Sequence, residues 1–237
     1  MFHWRDDSEG LTRAFTSRRG GVSAAPYDSL NLGSRVGDDP ADVTENRNRV
    51  ASALGVPAVA FMNQCHGADV AVIEAVPDCT PDADALVTLT PGLALAALVA
   101  DCTPVLLWDV AGPAVAAVHA GRPGMMKGVV GQVVSTMRAL GAQSISAVVG
   151  PSVCSRCYEV PLALREEAAS VTPESRAVSW TGTPAIDVAG GVVAQLHDLH
   201  VDISWVAGCA REDLRLFSHR RDGVTGRFGG FIVRKAP

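Results

Sequence analysis

The sequence has no run of apolar residues fit to cross a membrane. Its longest, Leu93 to Ala100, falls far short of the ~20 residues a spanning helix needs. The opening residues Met1-Phe2-His3-Trp4-Arg5-Asp6-Asp7 lack the apolar core of a signal peptide, so a cytoplasmic location is expected. Basic residues are outnumbered, giving a net charge of −5 with no basic tail. That excludes a general nucleic-acid binder, which needs a basic face to neutralise phosphates. Cysteines number 6 and are irregularly spaced at 65, 79, 102, 154, 157 and 209, which excludes a disulfide framework. There is no phosphate-cradling P-loop, no dinucleotide fingerprint, no repeat and no linker. One domain over residues 1–237 is expected.

What is there suits a globular enzyme: 48% hydrophobic residues and 19% charged, in a chain long enough to bury a sizeable core. Leu11 to Ser17 reads as a strand. Gly20 to Pro40 is a long loop rich in turn formers, a length that usually signals function. Asp39 as cap and Pro40 at the first position start a helix whose apolar residues recur to Leu54, with Gly55 as its stop. Short strands follow at 59–62, 70–73, 84–87, 93–99 and 104–108. The last two are near-continuous apolar runs, the pattern of strands buried on both faces. Met125 to Leu140 reads as one amphipathic helix, and 145–149 as a buried strand. Helices are expected at 162–170 and 188–199, and strands at 203–206 and 231–233. Strands outnumber helices without regular alternation, so the expected class is α+β: mixed sheets flanked by helices.

Two neighbouring strands carry reactive groups at their ends. Cys102 opens Thr103-Pro104-Val105-Leu106-Leu107-Trp108, and His119 closes Val115-Ala116-Ala117-Val118. The turn residues Asp109-Val110-Ala111-Gly112-Pro113 lie between them. Such a pair can be a nucleophile with its base or two ligands of a soft metal. His66, in a loop between strands, can join them. A histidine–cysteine–histidine set leaves a fourth tetrahedral position open. Spacing alone also allows an inert core cysteine beside satisfied histidines.

Motifs along nearly the whole chain narrow the choice. They include Phe15-Thr16-Ser17-Arg18, Ser29-Leu30-Asn31-Leu32-Gly33, Glu45-Asn46-Arg47, Asn63-Gln64-Cys65-His66-Gly67 and Asp82-Ala83-Asp84-Ala85. Further on come Ala100-Asp101-Cys102-Thr103-Pro104, His119-Ala120-Gly121, Tyr158-Glu159-Val160 and Ser218-His219-Arg220-Arg221-Asp222. In this order they resemble the YfiH-like laccase-domain family, called multicopper polyphenol oxidases and more recently purine nucleoside phosphorylases. The resemblance implies that His66, Cys102 and His119 are metal ligands and catalytic residues, with zinc the expected ion and copper the lesser candidate. It implies phosphorolysis of adenosine, inosine, guanosine and methylthioadenosine, and deamination of adenosine. For deamination Asp101 is a candidate proton shuttle. For phosphate, Arg47, Arg220 and Arg221 are candidate guanidinium forks. Asn31 resembles a substrate contact of the family. The expected partners are purine nucleosides and phosphate, with neither nucleic acid nor membrane.

The family's H-A-G-W-R-G stands here as His119-Ala120-Gly121-Arg122-Pro123-Gly124, without the tryptophan and with arginine one place earlier. Cys154-Ser155-Arg156-Cys157 is an isolated CxxC, read as packing, and Cys65 reads the same way. His197 and His200 read as a surface pair. Two other activities compete: a cysteine hydrolase or amidase using Cys102 and His119, and a copper phenol oxidase. Multicopper sites need many histidines, and this chain has 6.

Overall fold

The computed structural model describes residues 1–8 and 10–236. Two mixed sheets face one another, and helices cover their outer faces. The first sheet runs β1 (Phe2–Asp6), β2 (Leu11–Thr16), β13 (Phe228–Arg234), β6 (Ala94–Val99) and β3 (Val59–Ala60). The second runs β12 (Asp202–Trp205), β9 (Ile145–Val149), β7 (Thr103–Asp109), β8 (Val115–Ala120), β5 (Ala85–Thr88) and β4 (Val70–Val72). Pairs β3–β6, β4–β5 and β9–β12 are parallel; the remaining neighbours are antiparallel. A separate ribbon pairs β10 (Arg176–Val178) with β11 (Pro184–Ile186).

Period-2 alternation explains the layers. In β7, Leu106 and Trp108 enter the core between the sheets, with Phe15, Leu86, Leu95, Val115 and Ile232. Val105 and Leu107 point the other way, against α3 (Val129–Ala139) and α5 (Val188–Asp198). On the far side, Ala94, Ala96, Phe231 and Val233 pack against Val50 and Leu54 of α1 (Pro40–Leu54). The central strands therefore bury both faces, as their apolar runs require. Asp39 caps α1 by accepting from the Ala41 N–H, and Gly55 ends it at φ 74°, the left-handed conformation glycine adopts freely.

Three differences from the sequence reading have physical causes. The expected helix over 125–140 is two, α2 (Arg122–Met126) and α3, broken where Gly128 takes φ 80°. The hydrophobic period runs on through a break that costs no apolar contact. Strand β1 mixes aromatic and charged residues and has no clean alternation. It forms because β2 offers it an open edge. The ribbon β10–β11 and the short helix α6 (His219–Asp222) are likewise set by their partners. A fourth longer helix, α4 (Leu162–Val171), lies where expected.

Candidate active site

Cys102 lies immediately ahead of β7, and His119 lies near the end of β8. The register pairs Pro104 with His119 and Thr103 with Ala120, which brings Cys102 beside the histidine. His119 faces the same side of its strand as Val115 and Ala117, where the core between the sheets ends and a cavity begins. His66 comes from the loop between β3 and β4. Gln64 fixes that loop to β6, donating to the Leu98 carbonyl at 2.7 Å and accepting from its N–H at 2.9 Å.

Two residues beside this junction are non-glycine with positive φ: His66 at 58° and Asp101 at 96°. Such conformations cost about 1–3 kcal/mol each and persist where surroundings over-determine them. Here they do. The Asp101 carboxylate accepts from Ser218 Oγ and from the Arg220 N–H, both at 2.6 Å. The His66 N–H donates to Asp84 Oδ1 at 3.0 Å. Gly121 leaves the approach clear, since a Cβ there would lie 2.6 Å from His66 Cδ2.

The ligand atoms of His66, Cys102 and His119 lie within 4.8 Å of one another. Cys102 Sγ is 3.7 Å from His66 Nε2, and the two imidazoles meet edge to face with centroids 4.7 Å apart. A tetrahedral zinc with ordinary bond lengths holds a sulfur and a nitrogen about 3.6 Å apart. The donor set thus fits a metal, with His66 exposed on the open side and His119 buried behind.

Asp84 organises the set. Fully buried, it receives His119 Nδ1 at 2.8 Å and the backbone N–H groups of Cys65, His66 and Gly67. Its own carbonyl accepts the His119 N–H at 2.8 Å. Burial works against its charge, but His119 and the Gly67 N–H outweigh it and hold the carboxyl well below the usual range. Burial also opposes the Cys102 thiolate, yet His119 beside it draws the thiol down to about 6. His119, disfavoured as a cation by burial, is pushed up to about 9 by Cys102 and Asp84. Cys65, expected to pack, is exposed and donates its thiol to Asp84.

These three side chains open on a cavity of about 750 Å³, a size typical of small-molecule sites. Five arginines line it: Arg35, Arg47, Arg122, Arg220 and Arg227. Arg47 stacks over Phe61 at 3.9 Å and donates to the Leu32 carbonyl. Arg220 lies over Tyr158 at 4.9 Å. Asp101 also lines the wall. The long loop contributes Gly33 to Val36.

Two expected site residues lie elsewhere. Arg221 turns away from the cavity, donating to the carbonyls of Ala210, Arg211, Asp213 and Leu216 and to Asp222. Asn31 is fully buried. Its amide binds the Gly33 carbonyl and Asp38 and accepts from the Gly33 and Arg227 N–H groups, so it shapes the loop from behind. Sequence reasoning missed Asp84 and Arg227. Asp84 stands in a quoted motif, but nothing local distinguishes a strand-leading aspartate from a carboxylate that binds a histidine. His197 is exposed and lies beside Asp198, outside any ligand cluster among the described residues.

Residues 12–235 match the family model described as multi-copper polyphenol oxidoreductase laccase. The chain is 52% identical to a Streptomyces coelicolor protein named purine nucleoside phosphorylase, over 98% of this chain and 99% of that one. It is 37% identical to a Shigella flexneri protein named purine nucleoside phosphorylase YfiH, over 94% of each. A crystal structure of a Neisseria meningitidis protein superposes with a TM-score of 0.87 at 34% identity, covering 98% of this chain and 99% of the other. That of YlmD from Geobacillus stearothermophilus gives 0.85 at 31% identity, covering 96% and 93%.

Proposed function

Because the chain belongs to the multi-copper polyphenol oxidoreductase laccase family, whose relatives here are named purine nucleoside phosphorylases, we propose that it is a zinc-dependent purine nucleoside phosphorylase that also deaminates adenosine. One observation carries the reading: a histidine–cysteine–histidine set opens on a cavity walled by arginines and two aromatic rings. Adenosine, inosine, guanosine and methylthioadenosine share a flat base, a ribose-type sugar and the need for an anion beside it. Phe61 and Tyr158 offer apolar faces, and each holds an arginine, Arg47 or Arg220, in a fixed plane. A guanidinium so held is prepared to take phosphate through two parallel hydrogen bonds. Arg227 stands at the same wall.

His66, Cys102 and His119 would hold the zinc. Zinc held there would supply Lewis acidity and make water more acidic, the chemistry that attack on a purine C6 needs. His119 is kept in one orientation by Asp84, so its free nitrogen faces the ligand position. Asp101, next to Cys102 on the cavity wall, is the proposed proton carrier, its carboxylate held in place by Ser218 and the Arg220 N–H. Its conversion to asparagine should change the pH profile of deamination and leave the metal in place.

A cysteine hydrolase is the second reading, favoured by the acidified Cys102 thiol beside His119. Metal analysis separates the two. Cys102→Ala should lose one zinc equivalent relative to the native chain and lose nucleoside turnover. A metal-free enzyme that stays fully active and is inactivated by alkylation of Cys102 would establish the hydrolase. Turnover should require phosphate and release a sugar 1-phosphate with the free base. Equal rates without phosphate, with free ribose as product, would overturn the phosphorylase.

A further inference from the structure

The CxxC that looks isolated in the sequence is not isolated in space. Cys154, Cys157, Cys209 and Glu212 bring one ligand atom each to within 4.8 Å of one another. Their frame is two matching turns. The Cys157 N–H donates to the Cys154 carbonyl at 3.0 Å, and the Glu212 N–H to the Cys209 carbonyl at 3.1 Å. Cys154-Ser155-Arg156-Cys157 thus faces Cys209-Ala210-Arg211-Glu212. A short parallel bridge between Ser152 and Cys209 locks them together, through Ser152 N–H to Gly208 and Ala210 N–H to Ser152. The Cys154 N–H points at Cys209 Sγ at 3.4 Å, and the Cys157 thiol reaches Glu212 Oε1 at 3.3 Å. Trp180 Nε1 steadies the same carboxylate at 3.2 Å.

We propose that these four residues form a second metal site, a closed tetrahedral zinc centre of three thiolates and one carboxylate. Thiolate-rich donors select zinc among the common divalent ions, and four protein ligands with no open position mark a structural centre. Two thiolates on zinc sit about 3.8 Å apart, so closing on the ion requires about an ångström of side-chain movement. A simple disulfide would leave the third cysteine and the oriented glutamate unexplained. Three thiolates and a carboxylate exceed the charge of the dication, and Arg211, against Cys157, offsets part of the excess.

The centre would pin a wall of the cavity. Val153 and Tyr158, on either side of the CxxC turn, both line it, and the Val153 N–H is bonded to the Asp101 carbonyl at 2.9 Å. Zinc here would tie that wall to the segment leading into α6, which carries Arg220.

The test uses the reduced, full-length Cys102→Ala protein, so the outcome does not depend on the first metal site. Titration with cobalt(II) should give one equivalent with tetrahedral cobalt–thiolate absorption, displaced by zinc, and zinc should raise Tm in the same protein. Cys157→Ser should abolish the band. Glu212→Gln, at an exposed position, should weaken binding at least about 10-fold, no less than losing an outer partner of a ligand costs. Three results would overturn the proposal. They are a folded Cys102→Ala protein with no cobalt–thiolate band, a metal affinity unchanged by Glu212→Gln, and a disulfide among Cys154, Cys157 and Cys209 in freshly isolated protein mapped without reductant.

Discussion

At the scale of the residue, a carboxylate that would touch no substrate holds the site. Asp84 binds His119 and three successive N–H groups of the His66 loop, so one side chain sets the position of two of the three proposed ligands. Asp84→Asn keeps the shape but replaces one acceptor oxygen with a donor that faces N–H groups. Zinc affinity, measured by competition with a chromophoric chelator, should fall about 10- to 100-fold. An unchanged affinity would show that His119 is oriented by its strand alone. His66, Cys102 and His119 were legible through the family motifs they stand in, since strand-end spacing alone left an inert cysteine beside satisfied histidines open. The arginines were not. Arg220 and Arg221 are neighbours of the same type, and the short helix turns one toward the cavity and the other toward four carbonyls.

The break between α2 and α3 is the informative feature at the scale of the element. Gly128 sits at φ 80° with nothing within 4 Å of its missing Cβ, so a substitution there is charged for backbone conformation and not for space. Gly128→Ala should destabilise the fold by about 1 kcal/mol, seen as a lower urea midpoint with an unchanged slope. Helix α2, ahead of the break, begins at Arg122, whose side chain lines the cavity. Arg122→Trp with Pro123→Arg restores the aromatic wall of the family motif. The Michaelis constant for nucleosides should fall while zinc content stays the same, since the change adds a ground-state contact. An unchanged constant in folded, zinc-loaded protein would show that this wall does not meet the base.

On the scale of the whole molecule, stability rests on two sheets sharing one core, with Leu106 fully buried at its centre. Leu106→Ala should cost about 2–5 kcal/mol in a denaturant titration, transfer and cavity together. Acid should act through carboxylates that folding holds below their ordinary values. Asp7 is lowered to about 2, chiefly by hydrogen bonds from Arg5 and Thr12, and Asp84 is lowered too. A depressed carboxyl adds stability above its unfolded pKa, about 4, and loses it as pH falls toward the folded value. The urea midpoint should therefore drop between about pH 5 and pH 2, and less steeply in Asp84→Asn. A midpoint flat across that range would refute the account. By itself the sequence determined the strands with their two buried faces and the capped helix α1, because each depends on neighbours along the chain: alternation and a cap. Only tertiary structure decided which distant groups meet. Asp84 and His119 are 35 residues apart, Cys154 and Cys209 are 55, and Asp101 and Ser218 are 117. Contacts across such separations follow from sheet order and register, which local pattern does not encode.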